Sequence, residues 1–230
     1  MAGKSIAFVG TKGGIIKSTL TQCIATSLVF ADKKVAILEV DPQGSILDWF
    51  LEREDNSSLN IKIVSYDPSM SLQTAIDNMI LIYDYVFVDL PGESEALTFT
   101  RSALAFADLC VFPLRIYHKD INAFDSKMMP VLLEVLELRD KKHFILLGTF
   151  AHHSADIKKY LSNFDSITVI DKLPAIHRDR PVLTYFSVNG MTLLEYLHSN
   201  KTGSTEFIKT QKAVNDIEKI ATQILKYVNI

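Results

Sequence analysis

Short apolar, β-branched runs alternate with stretches of helical spacing along the chain, and this alternation constrains the fold more than any other feature. Strands are predicted at 5–9, 34–40, 61–65, 85–90, 109–113, 143–150 and 167–170. Helical spacing falls between them at 17–31, 71–82, 95–107, 121–138 and 155–164. When a helix intervenes before the next strand can pair, neighbouring strands run parallel, and a parallel sheet must be covered on both faces. The expectation is therefore an α/β fold, mostly parallel, with helices on both faces and one domain spanning residues 1–230. The composition, 48% hydrophobic and 22% charged with a net charge of −3, is that of an ordinary soluble protein, so any contact with nucleic acid must come from a local basic patch.

Met1 to Gly10 lacks the features of a secretion signal, and no apolar run reaches the roughly 18 residues that a membrane span needs. A cytoplasmic protein is expected. Cys23 and Cys110 lie far apart in apolar stretches and are expected to be buried free thiols. His152 and His153 are adjacent, so on a strand end they point to opposite sides, and they are expected to be loop residues rather than metal ligands. Residues 204–227 read as one amphipathic helix with Val214, Ile217, Ala221, Ile224 and Val228 on its apolar face.

The first strand ends in Gly10-Thr11-Lys12-Gly13-Gly14-Ile15-Ile16-Lys17-Ser18-Thr19, and a helix follows at once. Such a junction is suited to phosphate, because successive backbone N–H groups and the positive helix end surround the anion. A lysine adds charge, and a hydroxyl reaches Mg²⁺. Lys17 and Ser18 are placed for those roles. The strict pattern G-x-x-x-x-G-K-[ST] is broken, since Thr11 and Ile16 stand at its two glycines. If the loop still wraps phosphates, the Ile16 side chain must turn back toward the sheet or solvent.

Lys12, Gly13, Gly14, Lys17, Ser18 and Thr19 together resemble the deviant Walker A signature of the ParA/MinD family, K-G-G-x-G-K-[ST]-T, with Ile15 at its free position and Ile16 at its glycine. The segment Glu39-Val40-Asp41-Pro42-Gln43 is similar to that family's D-x-D-P-Q, with Glu39 at the first acid. Tyr85 to Gly92 resembles its Walker B and switch region, and Leu173-Pro174-Ala175-Ile176-His177-Arg178 its I-P-x-x-x-R stretch. The resemblance spans nearly the whole chain and is strongest to small plasmid-partition ParA proteins and to the VirC-type protein of T-DNA transfer. It implies a P-loop NTPase fold, Rossmann-like, with ATP and Mg²⁺ as cofactors. It further implies that Lys12 reaches a partner protomer's nucleotide, Thr19 approaches the α-phosphate, and Asp41 positions the attacking water. Asp89 would hold Mg²⁺ through water with Ser18 beside it, Gly92 would approach the γ-phosphate, and Arg178 would lie near the nucleoside.

The implied function is an ATP-dependent homodimeric switch that binds DNA non-specifically near the nucleoid, with hydrolysis stimulated by a centromere-binding or relaxosome partner and no membrane association. Lys209, Lys212 and Lys219 on the last helix are the candidate DNA surface, with Lys226 farther along the same stripe and Lys201 and Arg180 nearby. Asp216 interrupts that stripe, which leaves a merely solvated helix face as the alternative. Ile16 leaves open a second alternative, a scaffold or regulator whose nucleotide site is impaired. A MinD-like membrane switch would need a separate amphipathic tail.

Overall fold

A computed structural model describes residues 2–10, 16–53, 59–92, 96–115, 117–150, 162, 164, 167–175 and 177–229. In order, these carry β1 (Lys4–Phe8), α1 (Lys17–Phe30), β2 (Val35–Glu39), α2 (Ser45–Leu51), β3 (Ile61–Ser65) and α3 (Leu72–Ile80). Then come β4 (Tyr85–Asp89), α4 (Ala96–Phe106), β5 (Leu109–Arg115), α5 (His118–Ala123), α6 (Met129–Leu136), β6 (Phe144–Thr149) and β7 (Asp171–Lys172). Two helices finish the order, α7 (Leu193–Ser199) and α8 (Thr205–Val228). Among the described residues the sheet has seven strands in the order β3-β2-β4-β1-β5-β6-β7, and every neighbouring pair is parallel.

Successive side chains of a strand point to opposite faces, so each strand feeds two cores. Ile6, Phe8, Ile37, Phe87, Ile145 and Leu147 point to one face, where Leu20 and Ile24 of α1 and Val214, Ile217 and Ile224 of α8 cover them. Ala7, Leu38, Val88, Phe112 and Leu146 point to the other, beneath Ile76 of α3, Leu104 of α4 and Leu132 of α6. Each fully buried large apolar side chain contributes roughly 1.5–3 kcal/mol relative to exposure. All five apolar positions anticipated on the last helix are buried, and Cys23 and Cys110 are buried free thiols. Among the described residues no helix is long and apolar enough to cross a membrane.

The helix expected at 121–138 is instead two segments joined by a π-turn at Phe124–Met128. Pro130 supplies the reason: it has no N–H, and its ring would collide with the carbonyl of Ser126 in an uninterrupted helix. Residues 167–170 form no strand. Ile167 and Ile170 are both buried, a spacing of three rather than two, and the ladder to β6 is made by Asp171 and Lys172. Most of the helix expected at 155–164 lies outside the described residues, as do His152 and His153; Phe164 is buried. Two further short helices, α2 and α7, stand outside the stretches of helical spacing. For α7 a signal was present in Thr192 and Glu195, which form a capping box: Thr192 Oγ1 accepts the Glu195 N–H at 3.1 Å and Glu195 Oε2 accepts the Thr192 N–H at 2.7 Å.

Candidate functional site

The polar residues of interest gather at the carboxyl ends of β2 and β4 and at the start of α1. Ile16 precedes that helix with φ 54° and ψ 13°, in the left-handed region, and no side chain among the described residues caps the helix. Its first turn also contains no acidic residue. The orphan N–H groups of a 14-residue helix are thus left for an anion, with the partial positive charge of the helix end behind them. A branched residue at positive φ costs roughly 1–2 kcal/mol. The half-buried Ile16 side chain offsets part of this by packing on the core beneath α1 and α8. Its bulk is therefore taken up by the core, one of the two outcomes its place in the loop required.

In the first turn of α1, Ser18 Oγ donates to Asp89 Oδ2 at 2.7 Å, and Thr21 Oγ1 lies 3.5 Å from the other carboxylate oxygen. Asp89 is wholly buried, and burial pushes its carboxyl up to about 7, against the pull of the Ser18 hydroxyl and the Lys17 ammonium. Lys17 is itself buried, which lowers its pKa, while Asp89 and Asp41 favour its charged form. Glu39 is the register partner of Asp89 on the adjacent strand, so the two carboxyls share one face of the sheet. Burial raises Glu39 as well, opposed by hydrogen bonds from the Ile46 and Leu47 N–H groups. Asp89 and Asp41 act on Lys17 and Glu39 adds a third acid beside them, an excess of negative charge that a divalent cation would neutralise.

Asp41 Oδ1 accepts the Gln43 N–H at 2.9 Å, an Asx turn, and Gly44 at φ 67° leads into α2. The structure therefore brings Lys17, Ser18, Asp41 and Asp89 together. Thr19 is half-buried in the same first turn, and Gly92 is half-buried just past β4. Lys12, Gly13, Gly14 and Ile15 lie outside the described residues. Arg178 is half-buried beyond β7. Its neighbour His177 is 1% exposed with no hydrogen-bond partner on either ring nitrogen among the described residues, and burial brings its pKa down to about 4, a shift that Asp179 and Asp216 oppose and Arg180 favours. On α8, Lys209, Lys212, Lys219 and Lys226 are exposed. Asp216, which interrupts their stripe, is held by Arg180 through Nε at 2.9 Å and Nη2 at 2.6 Å.

Sequence reasoning missed what holds this arrangement. Glu39 caps α2, and Arg53 makes two bonds to Glu195, at 2.7 and 2.9 Å, and one to Gly190 O at 2.6 Å, tying the end of α2 to the start of α7. The Arg53 hydrogen bonds bring Glu195 down to about 2. These partners are far apart in sequence, and no local pattern announces them.

A parallel sheet with charged side chains at the carboxyl ends of its middle strands, beside an uncapped helix N-terminus, is the architecture of a nucleotide-binding α/β protein. The chain belongs to the CobQ/CobB/MinD/ParA nucleotide binding domain family, whose model matches residues 6–228. It is 26% identical over 171 residues to a ParA family protein of Mycoplasma genitalium, covering 71% of this chain and 56% of that protein, so the alignment spans little more than half of the relative. Among solved structures, the MinC:MinD cell division protein complex of Aquifex aeolicus matches with TM-score 0.69 and 18% identity, over 97% of this chain and 96% of that one. A putative plasmid partition protein from Borrelia burgdorferi B31 bound to AMPPNP matches with TM-score 0.65 and 17% identity, over 97% and 99%. At these identities the likeness is one of fold.

Proposed function

We propose that this chain is one ATPase domain that acts as an ATP-dependent dimeric switch on DNA. The observation that carries the proposal is the Ser18 hydroxyl at 2.7 Å from the buried Asp89 carboxylate, directly below an uncapped helix end that carries Lys17. Lys17 and the first-turn N–H groups, Thr19 included, would bind the phosphates, and Lys12 to Ile16 would complete the loop. Ser18 and Asp89 would hold Mg²⁺, whose charge neutralises the excess of buried carboxylates and steadies the phosphates. Asp41, on the turn after β2, would orient the attacking water. Gly92 and Arg178 would line the γ-phosphate and nucleoside ends, and Lys12 would reach the partner protomer's nucleotide. DNA would lie along Lys209, Lys212 and Lys219, where Arg180 neutralises Asp216, the acid that interrupts their stripe. A centromere-binding or relaxosome protein would stimulate hydrolysis, and the complex would sit on the nucleoid in the cytoplasm.

The left-handed Ile16 favours a second reading, a scaffold with impaired nucleotide binding. Titration calorimetry with Mg²⁺ and a gel-shift series separates the two. The switch requires ATP binding that Lys17→Ala loses, and DNA retention that needs ATP, weakens as salt rises, and disappears when Lys209, Lys212 and Lys219 are all changed to Glu. No ATP binding in the unaltered protein would leave the scaffold. DNA retention indifferent to salt would remove the lysine surface.

A further inference from the structure

Resting on the ATPase reading above, we infer that Glu39 is a positioning residue for Asp41, acting by capping α2 from the strand beneath it. The N-cap position of α2 is Gly44, which has no side chain to offer, and φ 67° puts it outside the extended conformation that a capping residue adopts. The helix would begin with its first-turn N–H groups unmet. Glu39, the last residue of β2, closes that gap. Its Oε1 accepts the Ile46 N–H at 2.7 Å and its Oε2 accepts the Leu47 N–H at 3.1 Å. These are the second and third residues of α2, whose N–H groups an N-cap side chain would otherwise satisfy.

Between the two ends of this clamp lies the bend that carries Asp41. Inside it, Asp41 O accepts the Gly44 N–H at 3.1 Å and Asp41 Oδ1 accepts the Gln43 N–H at 2.9 Å. Below it, the Glu39 carbonyl accepts the Tyr66 N–H at 2.9 Å and the Val40 N–H donates to Asp89 O at 2.9 Å, which fixes the bend's start to β3 and β4. The Glu39 side chain is the one group in this network that reaches from the strand to the helix, so the place of Asp41 relative to Lys17 depends on it. Glu39 itself is 3% exposed and both its oxygens are engaged by α2. It therefore acts through Asp41 rather than by touching nucleotide.

The test compares unaltered protein, Glu39→Gln and Gly44→Ala in three measurements: ATP affinity, single-turnover hydrolysis, and amide exchange at Ile46 and Leu47. Glutamine keeps the volume but presents an NH₂ where one backbone donor needs an acceptor. Gly44→Ala disturbs the same bend independently, since its Cβ would meet open space and only the positive φ is penalised. Both variants should bind ATP within about twofold of the unaltered protein and hydrolyse it about tenfold more slowly, the signature of a displaced catalytic group. Exchange at Ile46 and Leu47 should accelerate in Glu39→Gln. Faster exchange with unchanged turnover would overturn the inference, because the cap would then be structural only. Equal loss of affinity and turnover would overturn it as well, by indicating collapse of the site. Absence of turnover in the unaltered protein would instead remove the ATPase reading, and this role with it.

Discussion

Two sets of polar side chains are buried at the carboxyl ends of strands on the α1 and α8 face of the sheet, and they are accommodated in opposite ways. At the ends of β2 and β4, Glu39 and Asp89 meet donors from backbone and side chain, and Asp89 also faces the charge of Lys17. At the end of β6, the Thr149 hydroxyl and both ring nitrogens of His177 have no hydrogen-bond partner among the described residues. The His177 ring meets the edge of Phe150 instead, at 5.9 Å between centroids. A buried charge survives where partners converge on it; a buried neutral group can remain unpaired at a cost of roughly 1–3 kcal/mol. Burial disfavours charge in both regions, which raises the acid Asp89 and lowers the base His177, so the two respond to pH in opposite directions.

The two regions differ most in their expected response to pH. Asp89, raised to about 7, keeps a proton in the folded state that the unfolded chain has lost, so its contribution to stability falls as pH rises from about 4 to about 7. His177, lowered to about 4, refuses a proton that the unfolded chain takes up, so its contribution falls as pH drops from about 6.5 to about 4. Each effect is on the order of 3–4 kcal/mol, and in nucleotide-free protein they oppose one another. Relative to the unaltered chain, Asp89→Asn should gain stability as pH rises through this window and His177→Phe should lose it. Urea midpoints measured between pH 4 and pH 7 check both, and two slopes of the same sign would refute the contrast.

At fixed pH a smaller difference is expected. Thr149→Val removes an unpaired hydroxyl without changing shape and should stabilise by about 1 kcal/mol. Ser18→Ala removes a donor from a buried carboxylate and should destabilise by about 1–2 kcal/mol when nucleotide is absent. Denaturation curves of the two variants should move in opposite directions.

The smallest change is expected at Ile16. Ile16→Gly relieves roughly 1–2 kcal/mol of left-handed strain, but glycine's freedom in the unfolded chain costs about 0.5–1 kcal/mol and the packing of the isoleucine is lost. Stability should stay within about 1 kcal/mol, while ATP affinity in calorimetry rises several-fold. Unchanged affinity would mean that Ile16 does not hinder the loop.

Much of the fold was legible because its signals are local. The apolar runs ending at Asp89 and Glu39 announce parallel strands, and the stripe from Val214 to Val228 announces α8. The site was legible where one short segment carries it, as from Lys17 to Thr19, or where a carboxylate ends a strand. What escaped depends on partners far away in sequence. Arg53 finds Glu195, Glu39 finds α2 across a bend, and Arg180 cancels Asp216. Residues 167–170 misled because Ile167 and Ile170 are apolar enough for a strand, yet both are buried at a spacing of three, with the Ile167 N–H bonded to Phe164 O.

The place of β1 has a consequence for how the molecule comes into being. It precedes both of its sheet neighbours in the chain, β4 and β5, with Lys4 beside Tyr85 and Ile6 beside Leu109. A growing chain can pair β2 with β3, but β1 has no partner until β4 emerges and keeps one open edge until Val111 has left the ribosome. Over that interval an apolar strand with unpaired backbone is exposed, the condition under which nascent chains associate with one another or occupy chaperones.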